Sequence, residues 1–440
     1  MIDALLASDI LGGSPIAVTV YTATALFFGY LLFRPRTRYW PLIAAATVIV
    51  GGLVGLLVLW LAVSVFDSFG GPVLTATWWW VAGCFSGIAL VAANLVGTRR
   101  GTGRIRWWHW VVAPLSIIVF VMAATLGIND AYGLNRTVAN LFHISTAKPI
   151  ALPTVAQAAG AASAPTLELM QPWRPPASMP KTGSIGTVDI PNTNSKFPAR
   201  AAQLYLPPAA LVPDAPRLPL VIMMMGQPGD PNADVIGAIL NDLAASNHGL
   251  APIALVVDQL GNPAVDPLCL DTTMGNVETY LMKDVVPWAR ATLNIQLTRN
   301  TVTVAGYSNG GTCAAYFGAK HPDVFGNIIA ISPTEYAGAE RSKQVLSDVF
   351  KGNQAAYDAV KPTNIMATKA PYTDTVAIYT VGQTDSRYQP GVKHLTDEAT
   401  KAGISAKLHL VPHGDHGISA LNGGLNYAFQ ELYPRLGLSG

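Results

Sequence analysis

Charge is scarce in this sequence. Only 12% of its 440 residues are charged, against 50% apolar, and the mean hydropathy is +0.34. A soluble globular chain carries about 25% charged residues, so part of this one is expected to face lipid. The charges nearly cancel, at a net +2, and no stripe of Lys and Arg appears outside two short loops. That argues against nucleic acid as a partner, because polyanion binders need clustered cations. Cysteine is scarce too, at three residues. No Cys-x-x-Cys pair or Cys/His cluster is present, so no zinc site is expected. Cys84 sits in an apolar run and reads as a small buried hydrophobe. Cys269 and Cys313 could pair in an oxidising compartment, although sequence does not say whether they meet. No repeat of solenoid length is visible.

What is abundant is long apolar stretches. Four of them, near Pro15–Phe33, Pro41–Phe66, Val73–Val96 and Trp108–Ile128, contain no charged side chain. Each is about 20 residues or more, enough to cross a hydrocarbon core as a helix. Buried core helices of that length usually show a polar face, and a cleavable signal would have a basic start; neither feature is present. Residues 1–128 are therefore expected to form a four-span transmembrane module.

Charge sets the expected orientation. Arg34, Arg36 and Arg38 follow the first run, and Arg99, Arg100, Arg104 and Arg106 lie between the third and fourth. The other flanks hold only Asp3, Asp9 and Asp67. The excess of Arg places both of those loops in the cytoplasm, so the N-terminus and everything after the fourth span lie outside. The expected location is the cell membrane, multi-pass, with the C-terminal domain extracytoplasmic. Trp78, Trp79, Trp80, Trp107, Trp108 and Trp110 suit interfacial belts.

Residues 129–182 read as a connector, with a short amphipathic start and then an Ala/Pro/Ser-rich linker over Lys148–Lys181. From residue 183 to 440 the pattern changes. Thr187–Ile190 and Ala201–Leu206 suggest an opening antiparallel pair. Unbroken apolar runs follow at Leu218–Met225, Ile253–Val257, Val302–Ala305, Ile328–Ile331, Val376–Val381 and Ala406–Val411. Such runs indicate strands buried on both faces. Helical patterns at Asp234–Ser246, Val277–Leu293 and Asn309–Lys320 fall between them. The alternation predicts an α/β fold, a doubly wound and mostly parallel sheet.

Gly306-Tyr307-Ser308-Asn309-Gly310 fits Gly-x-Ser-x-Gly, with an apolar strand before it and a small-residue helix after it. A strained turn there would lift the Ser308 hydroxyl above the sheet as a nucleophile. The base is expected after the last strand, in His413-Gly414-Asp415-His416-Gly417. His416 is favoured over His413 because the loop must run back across the sheet edge before the closing helix. The acid is expected after the strand Val376–Val381, and Asp385 is the choice there. Asp374 lies at the strand's other end, and Asp415 should point elsewhere. Backbone N–H groups of Asn309 and of Gln227, in the loop Met225-Gly226-Gln227-Pro228-Gly229, are the expected oxyanion donors. Pro228 has no N–H to offer.

Around these residues the chain resembles the esterase family that includes esterase D and the mycolyltransferases. The resemblance rests on Leu220–Gly226, Val277–Trp288, the Ser308 elbow, His321–Gly326 (His-Pro-Asp-Val-Phe-Gly), Ile331-Ser332-Pro333 and His413–Gly417. It implies an α/β-hydrolase fold, no cofactor, and a triad mapping to Ser308, Asp385 and His416. One departure is Met225-Gly226, where the family usually has His-Gly or Asp-Gly. With its spans, the chain is similar in architecture to membrane-anchored esterases of actinobacterial cell envelopes. The expectation is a serine ester hydrolase, or an acyl transferase to a sugar hydroxyl, acting on a lipid or envelope glycolipid ester. The rival is a non-catalytic envelope scaffold. Neither the acyl group, nor water versus acceptor, nor any protein partner is legible.

The orientation is testable. Cysteines introduced after residue 150 should react with a membrane-impermeant maleimide in intact cells. Protection of all of them until the cells are lysed would reverse the topology.

Overall fold

The computed structural model describes residues 2–33, 38–66, 73–100, 109–144, 146–152, 173–263 and 265–439. The chain divides into two compact units, Met1–Thr146 and Ala147–Gly440.

The first unit contains four helices long and apolar enough to cross a membrane: Pro15–Phe33, Trp40–Val65, Thr75–Val96 and Trp110–Tyr132. Large apolar side chains such as Leu26, Leu42, Ile49, Leu53 and Ile118 stand exposed on their outer faces. Between helices, polar side chains bond to backbone. Ser86 Oγ donates to the Val48 carbonyl at 2.8 Å, and Asn94 Nδ2 donates to the Leu31 carbonyl at 3.1 Å. Such bonds tie neighbouring helices together. Arg34, Arg36, Asp67, Arg104, Arg106, Trp107 and Trp108 lie outside the described residues.

The segment after residue 128 does not begin as a connector. The fourth helix runs on to Tyr132, and a short helix follows at Val138–Leu141, capped by Thr137 and Asn140. This segment joins the N-terminal residues: Ile10 N donates to the Arg136 carbonyl at 2.9 Å, and Gly12 N to Asp130 Oδ1 at 2.6 Å. Of the expected linker, residues 153–172 lie outside the described residues.

The second unit is built on eight strands. They are β1 (Ser184–Val188), β2 (Ala202–Leu206), β3 (Leu220–Met224), β4 (Ile253–Val257), β5 (Val302–Tyr307), β6 (Asn327–Ile331), β7 (Val376–Gly382) and β8 (Ser405–Val411). Their spatial order is β1-β2-β4-β3-β5-β6-β7-β8. β1 and β2 are antiparallel to their neighbours, and the other strands pair in parallel. Every residue of β3, β4, β5 and β6 is buried, as their unbroken apolar runs demand. Each fully buried Val, Leu or Ile contributes roughly 1.5–3 kcal/mol of transfer free energy. Four helices bear on the site or the sheet's end: α1 (Asp234–Ser246), α2 (Asn309–Lys320), α3 (Gln389–Lys401) and α4 (Ile418–Leu432).

Three elements differ from expectation. β1 runs Ser184–Val188 rather than Thr187–Ile190, because its pairing with β2 runs from Ser184 opposite Leu206 to Val188 opposite Ala202. β8 is an edge strand, not an apolar run: Lys407 pairs with Glu431, and His409 stacks on Tyr427 at 3.9 Å. The expected helix Val277–Leu293 is broken into Val277–Thr279, a π-helical stretch Tyr280–Val285, and Val286–Thr292. Pro287 lies just past the π stretch, where its missing N–H and its ring disturb the regular ladder.

Glu278 fastens this broken helix to α2. Its carboxylate accepts from Tyr316 OH at 2.8 Å, Lys320 Nζ at 2.7 Å and His321 Nε2 at 2.9 Å. Burial alone would raise the Glu278 pKa, but these bonds outweigh it and hold the pKa down, to about 2. A carboxyl depressed below its unfolded value stabilises the fold at pH above that value, and the benefit is lost as pH falls toward the folded pKa. Glu278→Gln should therefore lower the unfolding free energy of this unit at neutral pH by about 2 kcal/mol. The gap from the parent protein should close as the medium is acidified, which denaturant titrations at several pH values will read.

Candidate active site

The nucleophile turn is made by backbone packing directly on backbone. A Cβ on Gly306 would lie 1.9 Å from the Gly310 carbonyl oxygen, and one on Gly310 would lie 2.1 Å from that of Met224. Only glycine fits either position, so the strand can turn sharply into α2. Between them Ser308 sits at φ 53°, ψ −117°, a conformation non-glycine residues rarely adopt. Its N–H donates to the Ile331 carbonyl at 2.8 Å, which anchors the turn to β6.

The structure brings Ser308, His416 and Asp385 together in line. Ser308 Oγ is 2.9 Å from His416 Nε2, and His416 Nδ1 is 2.7 Å from Asp385 Oδ2. The Asp385 side chain is 6% exposed, and His416 is 22% exposed. The loops bearing acid and base are tied to each other. Gln383 N donates to the Val411 carbonyl at 2.9 Å, and Thr384 N to that of Gly414 at 2.8 Å. Tyr307 OH donates to the His416 carbonyl, and the Tyr388 ring stacks on the imidazole with centroids 4.1 Å apart. An aromatic face so placed favours the ring when it carries a positive charge.

The other candidates are occupied elsewhere. Asp415 Oδ1 accepts from Gly417 N and Ser419 Oγ, each at 2.7 Å. Asp374 pairs with Arg435 at 2.7 Å. His413 has an exposed side chain, and its N–H donates to Gln383 Oε1 at 3.1 Å. Among the described residues, no group of three or more His, Cys, Asp or Glu is placed to hold a metal ion.

Gln227 follows Gly226 in the loop after β3, and a cis peptide joins it to Pro228. Asn309 opens α2. Among the described residues, neither amide N–H donates a hydrogen bond within the protein. The two segments meet where Gly310 N donates to the Met225 carbonyl at 3.1 Å.

Several residues around the triad carried no signal that sequence reasoning used. Gln259 Nε2 reaches the Met225 carbonyl and Asn309 Oδ1, and Arg200 braces Asp258, Asp230 and Gly229. The usable sign was a polar pair, Asp258-Gln259, directly after a buried strand. The pKa values of two further acids are raised. Burial raises the pKa of Asp266, against a hydrogen bond from the Leu268 amide. Burial likewise raises that of Glu340, against a hydrogen bond from Tyr388. Finally, Cys269 and Cys313 form a disulfide with Cα atoms 5.3 Å apart, which joins the loop after Asp266 to the first turns of α2.

A mostly parallel, eight-stranded sheet with a strained serine turn at the C-terminal end of β5 defines the α/β-hydrolase class. Within it the chain belongs to the esterase family whose description reads "Putative esterase", and whose model matches residues 198–426. A protein of Corynebacterium glutamicum, described as uncharacterized, is 26% identical over 436 residues, spanning 96% of this chain and 95% of that one. Among solved structures, a ferulic acid esterase is similar at 16% identity and a TM-score of 0.47, over 58% of this chain and 98% of its own. An S-formylglutathione hydrolase from Agrobacterium tumefaciens is similar at 16% and 0.48, over 59% and 97%.

The two histidines can be separated by mutation. His416→Ala should cost at least about 10³-fold in kcat for ester hydrolysis, the scale of losing a triad member. His413→Ala should cost less than tenfold, since its side chain is exposed and outside the chain of hydrogen bonds. The reverse ranking would move the base to His413.

Proposed function

We propose that this protein is a serine ester hydrolase, or an acyl transferase of the same mechanism, acting on an ester-bearing lipid or envelope glycolipid at the outer face of the cell membrane. The observation that carries the chemistry is the Ser308–His416–Asp385 chain of hydrogen bonds, at 2.9 and 2.7 Å. Ser308 Oγ attacks the ester carbonyl as its proton passes to His416 Nε2. Asp385 holds the imidazole in the tautomer that can accept that proton and stabilises the imidazolium that results. The developing oxyanion receives the N–H groups of Gln227 and Asn309, and the α2 N-terminus adds its dipole. Collapse expels the alcohol, which takes the proton from His416 and leaves an acyl group on Ser308. Water, or an acceptor hydroxyl, then enters by the same steps in reverse.

The placement has two independent supports. The Arg residues around the spans favour an extracytoplasmic C-terminus. The Cys269–Cys313 disulfide belongs in an oxidising compartment, where such bonds persist. Four spans confine the enzyme near substrates that also live in the membrane and so raise their effective concentration.

A fluorophosphonate probe added to the detergent-solubilised full-length protein should label Ser308 and nothing else, and Ser308→Ala should abolish both labelling and hydrolysis of a short p-nitrophenyl ester. Chelator should leave the parent activity intact. Turnover that survives Ser308→Ala, or that disappears with chelator, would sink the serine mechanism. Comparing lipid extracts of cells with and without the protein identifies the acyl donor.

A further inference from the structure

Gln259 lies one residue beyond Asp258 at the C-terminal end of β4 and is 4% exposed. Its side-chain amide donates to the Met225 carbonyl at 2.6 Å and to Asn309 Oδ1 at 3.0 Å. Met225 precedes the loop that carries Gln227, and Asn309 follows the nucleophile. A single NH2 group thus grips the two segments that carry the oxyanion donors.

The far end of the Gln227 loop has its own brace. Arg200 Nε donates to Asp258 Oδ2 at 2.9 Å, and its NH2 donates to Asp258 Oδ1 at 2.7 Å and to the Gly229 carbonyl at 2.9 Å. Asp258 is 1% exposed. Gln227 and Pro228 are therefore bracketed by two anchors, both mounted on the dipeptide Asp258-Gln259. Such a dipeptide gains little by being polar at the end of a buried strand unless those bonds are made, since an unpaired buried amide costs about 1–3 kcal/mol.

We propose that Gln259 is a positioning residue for the oxyanion hole, fixing the separation of the Gln227 and Asn309 N–H groups through the Met225 carbonyl and the Asn309 side chain. The inference rests on the serine-hydrolase reading above. Its consequence is specific. An oxyanion hole acts on the tetrahedral state and hardly on the planar ester, so loosening it should lower kcat while leaving KM nearly alone.

The test uses the full-length protein in detergent, a short p-nitrophenyl ester, and an alkyl trifluoromethyl ketone, which adds to the serine and carries an oxyanion. Gln259→Met keeps the length and removes the donor. It should lower kcat by about 10²-fold, the scale of a lost oxyanion contact. KM should move less than threefold, and ketone affinity should weaken by the same factor as kcat. Gln259→Glu keeps the shape and puts an oxygen against two acceptors. Its ketone affinity should be weak at neutral pH and approach that of the parent as the medium is acidified, when a protonated carboxyl can donate again. Wild-type kcat in Gln259→Met, or a loss in kcat without a matching loss of ketone affinity, would overturn the assignment. Loss of the folded melting transition in both variants would mark Gln259 as a structural residue and overturn it too. Ser308→Ala is assayed alongside. If Ser308→Ala retains turnover, the serine reading fails and takes this inference with it; if Ser308→Ala is inactive and the Gln259 variants behave as the parent, only this inference fails.

Discussion

The whole site hangs on how closely α2 approaches β3 and β5. Met224 carbonyl oxygen occupies the space where a Gly310 side chain would stand, and the Gly310 carbonyl fills that of Gly306. That contact forces the chain to reverse within two residues, and the reversal leaves Ser308 in a strained conformation at the sheet's C-terminal edge. It also places Asn309 and Gly310 beside the end of β3, so Gly310 N can reach the Met225 carbonyl. Ser308 and the loop that carries Gln227 are therefore set by one packing event. A side chain at either glycine would push α2 off the sheet and disturb both.

Around this fixed point the other groups are held by loops that close on each other rather than by the sheet itself. The acid loop after β7 and the base loop after β8 exchange backbone hydrogen bonds, and Gly382 lies so close to the Asp415 carbonyl that a Cβ there would be 2.3 Å from it. His416 is gripped at Nδ1 by Asp385, at its backbone carbonyl by Tyr307, and on one ring face by Tyr388. Preorganisation of this kind keeps the base aimed without reorganisation during the reaction.

These two kinds of support explain what could be read in advance. Groups placed by strand order and by glycine punctuation were legible: Ser308 from its pentapeptide, Asp385 and His416 from the strands they follow. The buried strands were legible because burial on both faces leaves an unbroken apolar run, as in Ile253–Val257. β8 was misjudged because an edge strand keeps a wet face, and its Lys407 and His409 find partners on α4. The break at Tyr280–Val285 was hidden because a π-helical register leaves the apolar spacing almost unchanged over one turn. Gln259 and Arg200 escaped because their partners are backbone carbonyls and residues 29 or more positions away, from Gly229 to Asn309. No local pattern encodes such a bond. The pairing of Cys269 with Cys313 escaped for the same reason, at a sequence separation of 44.

The disulfide and the Arg distribution bear on one question from unrelated physics. Arg near a span reports the field and machinery that orient helices during insertion, and it knows nothing of the domain that follows. A disulfide reports the redox poise in which that domain folds, and it knows nothing of the spans. Both bear on the extracytoplasmic placement proposed above. The bond also has a local role in the site. It ties the Leu268–Leu270 loop to α2 one turn beyond Asn309. Closing a 44-residue separation removes freedom chiefly from the unfolded chain, for about 3–4 kcal/mol in the chain-entropy account. A domain working outside the cell, beyond the reach of cytoplasmic reductants, can keep that constraint permanently. One placed inside could not rely on it to fix the Leu268–Leu270 loop against α2.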